Sequence, residues 1–397
     1  MNIKLYKPII FVILLFHASF INLPYVNGYG LIKYSILLIV GAFLVIQFRV
    51  FKQNEYKKIN RWLLMYLIMV LISSYINKNS VKERNVFLVA IVFILTIIEI
   101  YYLFEYFAIL NRTQELINTL YYLLLFYCLV TDIVMILFPT LYIQKGMYYL
   151  TGNKFEISYL HLQLLVMFLQ KEKCNRKWLK FGKSDLKFLA LVVISLFACV
   201  KAQCSTGTIG VILLVIFYYC MARKNKVLKK PIVFLSILFI SVTVLMVFSG
   251  IVRFEPIRYI VEDVFHRDIT LTGRLIIYES IEKVFSGHIL FGYGMGSSFE
   301  IVMKMIGAPN TQNGVLEIIL QQGILSLILL LILLWKILQF IYQKKEINYA
   351  LIILYIYIIF ASVEITLDVS FLSWLVLALV FEKNTEQKFL HNRETKE

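Results

Sequence analysis

The chain has 397 residues, of which 60% are hydrophobic and only 16% charged, and its mean hydropathy is +0.79. A soluble protein of this length needs far more polar surface to cover its core, so the composition excludes an ordinary soluble enzyme or binding module. The net charge of +16 comes with no nucleic-acid-binding motif, and the distribution of basic loops described below accounts for it without such a partner.

Apolar runs of about 20 residues, the length that crosses roughly 30 Å of hydrocarbon as a helix, recur from end to end. They predict an all-α integral membrane protein with about twelve transmembrane helices, since a helix satisfies its own backbone hydrogen bonds in lipid. The spans fall near 8–26, 29–48, 62–76, 86–110, 116–139, 157–170, 188–203, 207–222, 231–250, 314–342, 349–367 and 370–382. The first could pass for a signal peptide, but Pro24 and Tyr25 stand where small cleavage-site residues belong, so it reads as a span. The tenth is too long for one straight crossing, and Gln321-Gln322-Gly323 inside it predicts a half-helix, a break, and then the span proper.

Lys and Arg cluster at every second loop: Arg49 to Arg61, Lys171 to Lys187, Arg223 to Lys230, and the tail after Phe381. Placing these loops and both termini in the cytoplasm puts 26 of the 40 basic residues on that side and 12 on the other. This satisfies the positive-inside rule, and the basic loops then lie against an anionic leaflet. Lys33 and Lys336 fall inside spans.

The whole chain, 1–397, reads as one polytopic domain with a single large insertion: residues 251–313 join the ninth and tenth spans on the outer side. Loops this long in compact proteins are usually functional, and this one has helical patterning. After Pro256, Ile257, Ile260, Val261, Val264 and Phe265 recur at helical spacing, with Arg258, Glu262, Asp263 and His266 opposite. A second helix should start near Thr270 or Thr272 and stop at Gly287. Arg274 falls in its first turn, where a cation opposes the helix dipole. Either it is a solvated surface arginine or it holds an anion with the helix N-terminus. Gly292, Gly294 and Gly296 follow in Gly-Tyr-Gly-Met-Gly, a run that lets backbone approach a ligand or forms a tight turn.

Ionisable residues inside spans are functional suspects: Glu99, Glu105, Asp132, His161, Lys201, Glu364 and Asp368. Lys201, Glu364 and Asp368 lie near outer ends, where they can reach water, and Lys201 can also meet a lipid diphosphate. The five cysteines form no CxxC and have no His at metal spacing, so they read as packing residues. Tyr142, Tyr148, Tyr149 and Tyr159 flank the 140–156 loop; they suit an aromatic belt or a second wall of a sugar site.

Thr272-Gly273-Arg274, the glycine run 292–296, Gln312-Asn313, and Gly323-Ile324 leading into a span resemble, in order and spacing, the O-antigen ligase and Wzy-type polysaccharide polymerase superfamily. Thr151-Gly152-Asn153 and Cys204-Ser205-Thr206-Gly207 are weaker landmarks of the same family. Where the family usually has histidine this chain has Gln312. An amide cannot take up a proton near neutral pH, so a positioning role fits it better than a general base.

The resemblance implies transfer of a growing glycan from undecaprenyl diphosphate to a sugar acceptor, with no cofactor. Catalysis is then expected from Arg274, Gln312, Asn313, Glu279 and Glu317, and substrate binding from Arg253, Arg258, Arg267, Lys201 and the glycines 292, 294 and 296. Arginine suits a diphosphate because its fork matches phosphate oxygens. Glu279 is either a base or an ion-pair partner of Arg274; Glu262, Asp263, His266 and His288 are the other loop candidates. No Asp-x-Asp motif occurs in the outer loops, which favours a metal-independent reaction. The expected setting is the plasma (inner) membrane, with undecaprenyl-diphosphate-linked oligosaccharide and membrane lipids as ligands and a flippase and chain-length regulator as partners. The leading expectation is a Wzy-like polymerase of capsule or O-antigen repeats. An O-antigen ligase and a flippase of lipid-linked oligosaccharide are the competing readings.

Overall fold

The computed structural model describes residues 7–23, 26–53, 57–138, 148–175, 182–251, 274–344 and 346–394. Its helices are α1 (Lys7–Phe20), α2 (Tyr29–Ile46), α3 (Lys57–Ile76), α4 (Val86–Ile109), α5 (Thr113–Leu137), α6 (Lys154–Lys171), α7 (Lys183–Lys201), α8 (Ser205–Leu228), α9 (Pro231–Ile251), α10 (Arg274–Phe285), α11 (Ser298–Ile306), α12 (Gly314–Gln343), α13 (Ala350–Phe360) and α14 (Val369–Glu394). A two-stranded hairpin, β1 (Tyr148–Tyr149) and β2 (Gly152–Asn153), precedes α6. Every segment expected to span falls on one of these helices. Among the described residues five helices are long and apolar enough to cross a membrane, and five more carry shorter apolar stretches. The protein is a multi-pass, all-helical membrane protein.

The bundle is layered by polarity in a way only a lipid environment explains. Almost every residue of α13 is buried, as is the 371–382 part of α14. These helices pack against each other and are ringed by α4, α6, α8 and α9. The peripheral helices point large apolar side chains outward: Leu38 is 73% exposed and Ile46 76%. In water such a surface would aggregate; against acyl chains it costs nothing. Small residues set close approaches, as expected where dispersion rather than hydrophobic burial drives packing. Gly207 of α8 lies against Ser158 and Cys199, and Gly210 against Leu162 and Phe360. Polar side chains bridge helices: His161 of α6 stands 3.1 Å from Asp132 of α5 and 3.3 Å from Ser195 of α7.

The break expected in the tenth span is present. Gly323 interrupts α12 with φ 82° and ψ 166°. A broken helix leaves backbone groups unpaired, which is tolerable at depth only if protein satisfies them. The turn after α10 does so. Tyr293 N donates to Leu320 O at 2.7 Å, and Ile324 N donates to Ile289 O at 2.9 Å. The Gln321 side chain accepts from Gly296 N at 2.7 Å, and the Ser73 hydroxyl of α3 donates to Phe291 O. The glycine run is therefore a plug in the kink.

One expectation needs revision. The eleventh segment was expected to continue to residue 367, but α13 stops at Phe360 and residues 361–368 form an irregular strap before α14. Within the 251–313 loop the second helix is described over Arg274–Phe285 and stops before Gly287 at φ 76°, as expected; its expected start at Thr270 or Thr272 lies outside the described residues, and a further helix, α11, is absent from the sequence reading. Residues 252–273, including the first expected loop helix, lie outside the described residues.

Candidate active site

One end of the bundle holds an open, polar cavity of about 640 Å³. Its walls come from the end of α1, from α2, from the start of α6, from the loop before α12, and from the 361–368 strap. Arg274 and Gln312, expected from sequence to act together, both line it.

Arg274 is the first residue of α10, and its guanidinium is held from the strap. Nε donates to Val363 O and Nη2 to Glu364 Oε1, each at 3.2 Å. The pair is largely enclosed, with the arginine side chain 20% exposed and the glutamate 13%. One turn on, the Tyr278 hydroxyl is within hydrogen-bond distance of Ser362 O at 2.9 Å and Gln312 O at 3.0 Å. Gly314 N donates to Ala361 O at 2.7 Å. Thus α10 ties the strap and the 310–314 turn together.

Gln312 sits in the left-handed region at φ 52°. That conformation is costly for a residue with a Cβ, and residues held so tend to mark functional sites. Its backbone N and its Nε2 both donate to Asn310 Oδ1, at 2.9 and 2.8 Å, so the amide is pinned at the cavity wall. Asn313, buried beside it, caps α12 by accepting from Val315 N and Leu316 N. Glu317 is buried and accepts from the Thr311 hydroxyl and from Gln321 Nε2, both at 2.7 Å. Asn313 and Glu317 shape the turn that carries Gln312 rather than lining the cavity.

The other expected residues lie elsewhere. Glycines 292, 294 and 296 face the kink and α4: a Cβ on Gly292 would stand 2.6 Å from Leu320 O, and one on Gly294 would stand 2.8 Å from Val86 Cγ2. His288 stacks on Tyr293 with ring centroids 3.9 Å apart. Glu279 is exposed on α10, and Lys201 is exposed at the end of α7; neither is in the cavity lining. Arg253, Arg258 and Arg267, with Glu262, Asp263 and His266, lie outside the described residues.

The cavity also gathers Glu364 and Asp368 of the strap, functional suspects from the sequence, and Tyr159, a candidate for the second wall, together with Glu156 of α6, Lys33 of α2 and Asn153, for which the sequence suggested no role in the site. A signal for the strap existed. Ser362, Glu364, Thr366 and Asp368 are polar at alternate positions, a period of two that does not suit a buried helix. Asp368 caps α14 through Oδ1, accepting from Ser370 N at 2.9 Å and Phe371 N at 3.2 Å. Its side chain is exposed to the cavity, and desolvation by the cavity walls pushes its carboxyl up to about 6, although backbone N–H groups oppose the shift. Burial also raises Glu364, with Arg274 pulling in the other direction.

Among known proteins, residues 190–331 match the family model described as O-antigen ligase. No curated protein and no solved structure matches the chain. The matched segment runs from within α7 to the middle of α12, so it contributes Arg274, Asn310 and Gln312 to the cavity while the rest of the protein contributes the carboxylates and Lys33. That match gives the chain a segment, residues 190–331, of the O-antigen ligase and polymerase superfamily.

Proposed function

We propose that this protein polymerises undecaprenyl-diphosphate-linked oligosaccharide repeat units into a capsular or O-antigen polysaccharide on the outer face of the plasma membrane. The observation that carries this reading is the convergence of Arg274, Gln312, Glu364 and Asp368 on one open polar cavity. The cavity end of the bundle is also the end that the basic-residue asymmetry assigns to the outside, with both termini cytoplasmic.

Arg274 binds the donor diphosphate. Val363 O and Glu364 orient its fork, and the arginine neutralises charge that grows on the leaving group. Asp368 is the general base, because its carboxyl titrates close to working pH and its capping bonds use Oδ1, leaving Oδ2 to take a proton. Gln312 positions the acceptor by hydrogen bonding. The acceptor hydroxyl oxygen bonds to the donor's anomeric carbon and its proton passes to Asp368. The bond from that carbon to the diphosphate oxygen breaks, and the lipid diphosphate leaves with the electron pair. The scheme draws on groups of the protein and its substrates, in keeping with outer loops that carry no Asp-x-Asp motif.

A ligase differs in its acceptor, and Gln312 in place of the family's histidine favours the polymerase. The test is purified protein in liposomes given a synthetic lipid-diphosphate repeat unit as the sole substrate. Chains of several repeats support the proposal. Transfer only when a different acceptor is added identifies a ligase, and movement across the bilayer without growth identifies a flippase.

A further inference from the structure

Lys33 sits in the second turn of α2 and lines the cavity, where among the described residues its charge meets only the face of the Tyr29 ring and, at longer range, the Glu156 carboxylate. Its Nζ lies 4.9 Å from the centre of the Tyr29 ring. That ring is fixed in turn, with the tyrosine hydroxyl 3.1 Å from Ile21 O and 3.1 Å from His17 Nε2. Among the described residues Lys33 makes no hydrogen bond and no ion pair within 4.0 Å. The acid beside it, Glu156, is committed to capping α6: its Oε2 accepts from Asn153 N at 2.7 Å. A half-buried ammonium with three open donors costs free energy unless something fills the site. Arg274, by contrast, is braced by the strap.

The two cations stand on different elements. Arg274 opens α10, within the segment that matches the family, and Lys33 stands on α2, far outside it. Each has one carboxylate for a neighbour, Glu364 and Glu156. Arg274 is already tied to Glu364, so a second cation on a separate element has an anion of its own to meet. A reaction that joins two lipid-linked glycans brings two diphosphates to the same membrane face.

We propose that Lys33 is the anchor of a second phosphate subsite, one that receives the diphosphate of the acceptor lipid while Arg274 receives that of the donor. This rests on the polymerase reading and deepens it: both substrates are lipid diphosphates, and the α2 side of the cavity is the acceptor side.

The test is calorimetric titration of the full-length protein in neutral detergent with farnesyl diphosphate, comparing wild type with Lys33→Gln, Lys33→Arg and Arg274→Gln. The expected result is two sites in wild type, with one weakened about tenfold to a hundredfold by Lys33→Gln and substantially kept by Lys33→Arg. The other site should be lost in Arg274→Gln. Among the described residues Lys33 makes no hydrogen bond between helices, so Lys33→Gln keeps the fold, and an unchanged melting temperature verifies that. A single site that depends on Arg274 and ignores Lys33 overturns the second subsite while leaving the proposed function standing. No binding in wild type removes the proposed function itself. Phosphatidylglycerol is the control for an ordinary anionic lipid; displacement of the Lys33-dependent site at equal concentration also overturns the assignment.

Discussion

Arg274 and Tyr278 stand one turn apart on α10 and grip adjacent residues of the strap: the arginine donates to Val363 O at 3.2 Å and the tyrosine hydroxyl approaches Ser362 O at 2.9 Å. The cation is thereby positioned by a helix pressed onto a distant loop. The arrangement fixes both the distance and the plane of the guanidinium before substrate arrives, and preorganisation of this kind is where electrostatic catalysis gains most.

Arg274→Ala should abolish polymer while leaving the protein in the membrane. Arg274→Lys should also fail, by about a hundredfold or more, because one ammonium cannot keep both the Val363 and Glu364 contacts while facing a phosphate. Polymer length on gels and initial rates in liposomes measure this. Wild-type chains from either variant would remove Arg274 from the mechanism.

Asp368 sets the acid limb of the rate. With its carboxyl raised to about 6, kcat/KM should fall with unit slope below that pH, and Asp368→Asn should lose about 10² to 10⁴ in rate and lose the limb with it. The stability effect has the opposite sense. A carboxyl raised from 3.8 in the folded state contributes stability that is full below about pH 3.8 and lost as pH rises through about 6. At pH 7.5 Asp368→Asn, which still caps α14, should therefore melt no lower than wild type. A fall in melting temperature with activity intact would contradict both halves.

Gln312 separates backbone from side chain. Gln312→Gly suits the left-handed φ of 52° and should hold or raise the melting temperature, yet lose activity, because the cavity loses its amide. Gln312→His tolerates the same backbone and should keep a measurable rate. Equal activity in the glycine variant would show that the amide does nothing.

Gly323→Ala should prevent folding. The position combines φ 82° with a Cβ direction blocked by the backbone of Leu290 and Phe291, so no side-chain adjustment relieves it. Strain of about 1–3 kcal/mol adds to the loss of the Tyr293 and Ile324 backbone bonds. Fluorescence-detected gel filtration of a tagged protein should show loss of the monodisperse peak. A normal peak would mean that the kink is not needed for the docked turn.

Much of the architecture was legible in the chain because hydropathy is a local quantity. A run such as 86–110 is a helix in lipid whatever surrounds it, since its backbone has no other partner there. The break at Gly323 was legible for a similar reason: two glutamines and a glycine interrupt an apolar run. The 361–368 strap was not read, because hydropathy averaging hid four polar residues among their apolar neighbours. The glycine run left a ligand cradle and a tight turn both open, because glycine's need for close approach does not say what approaches; here it is the backbone of α12 at Gly292 and the Val86 and Val89 side chains of α4 at Gly294 and Gly296.

The sequence by itself determined that this is a helical membrane protein with a large loop near one end, and it singled out Arg274 and Gln312, since composition, periodicity and order along the chain suffice for those. Only the tertiary structure decided which charges meet. Lys33, Glu156, Arg274, Glu364 and Asp368 are drawn into one cavity from four separate elements. Such a meeting depends on how helices pack against one another, and no local stretch of residues encodes it.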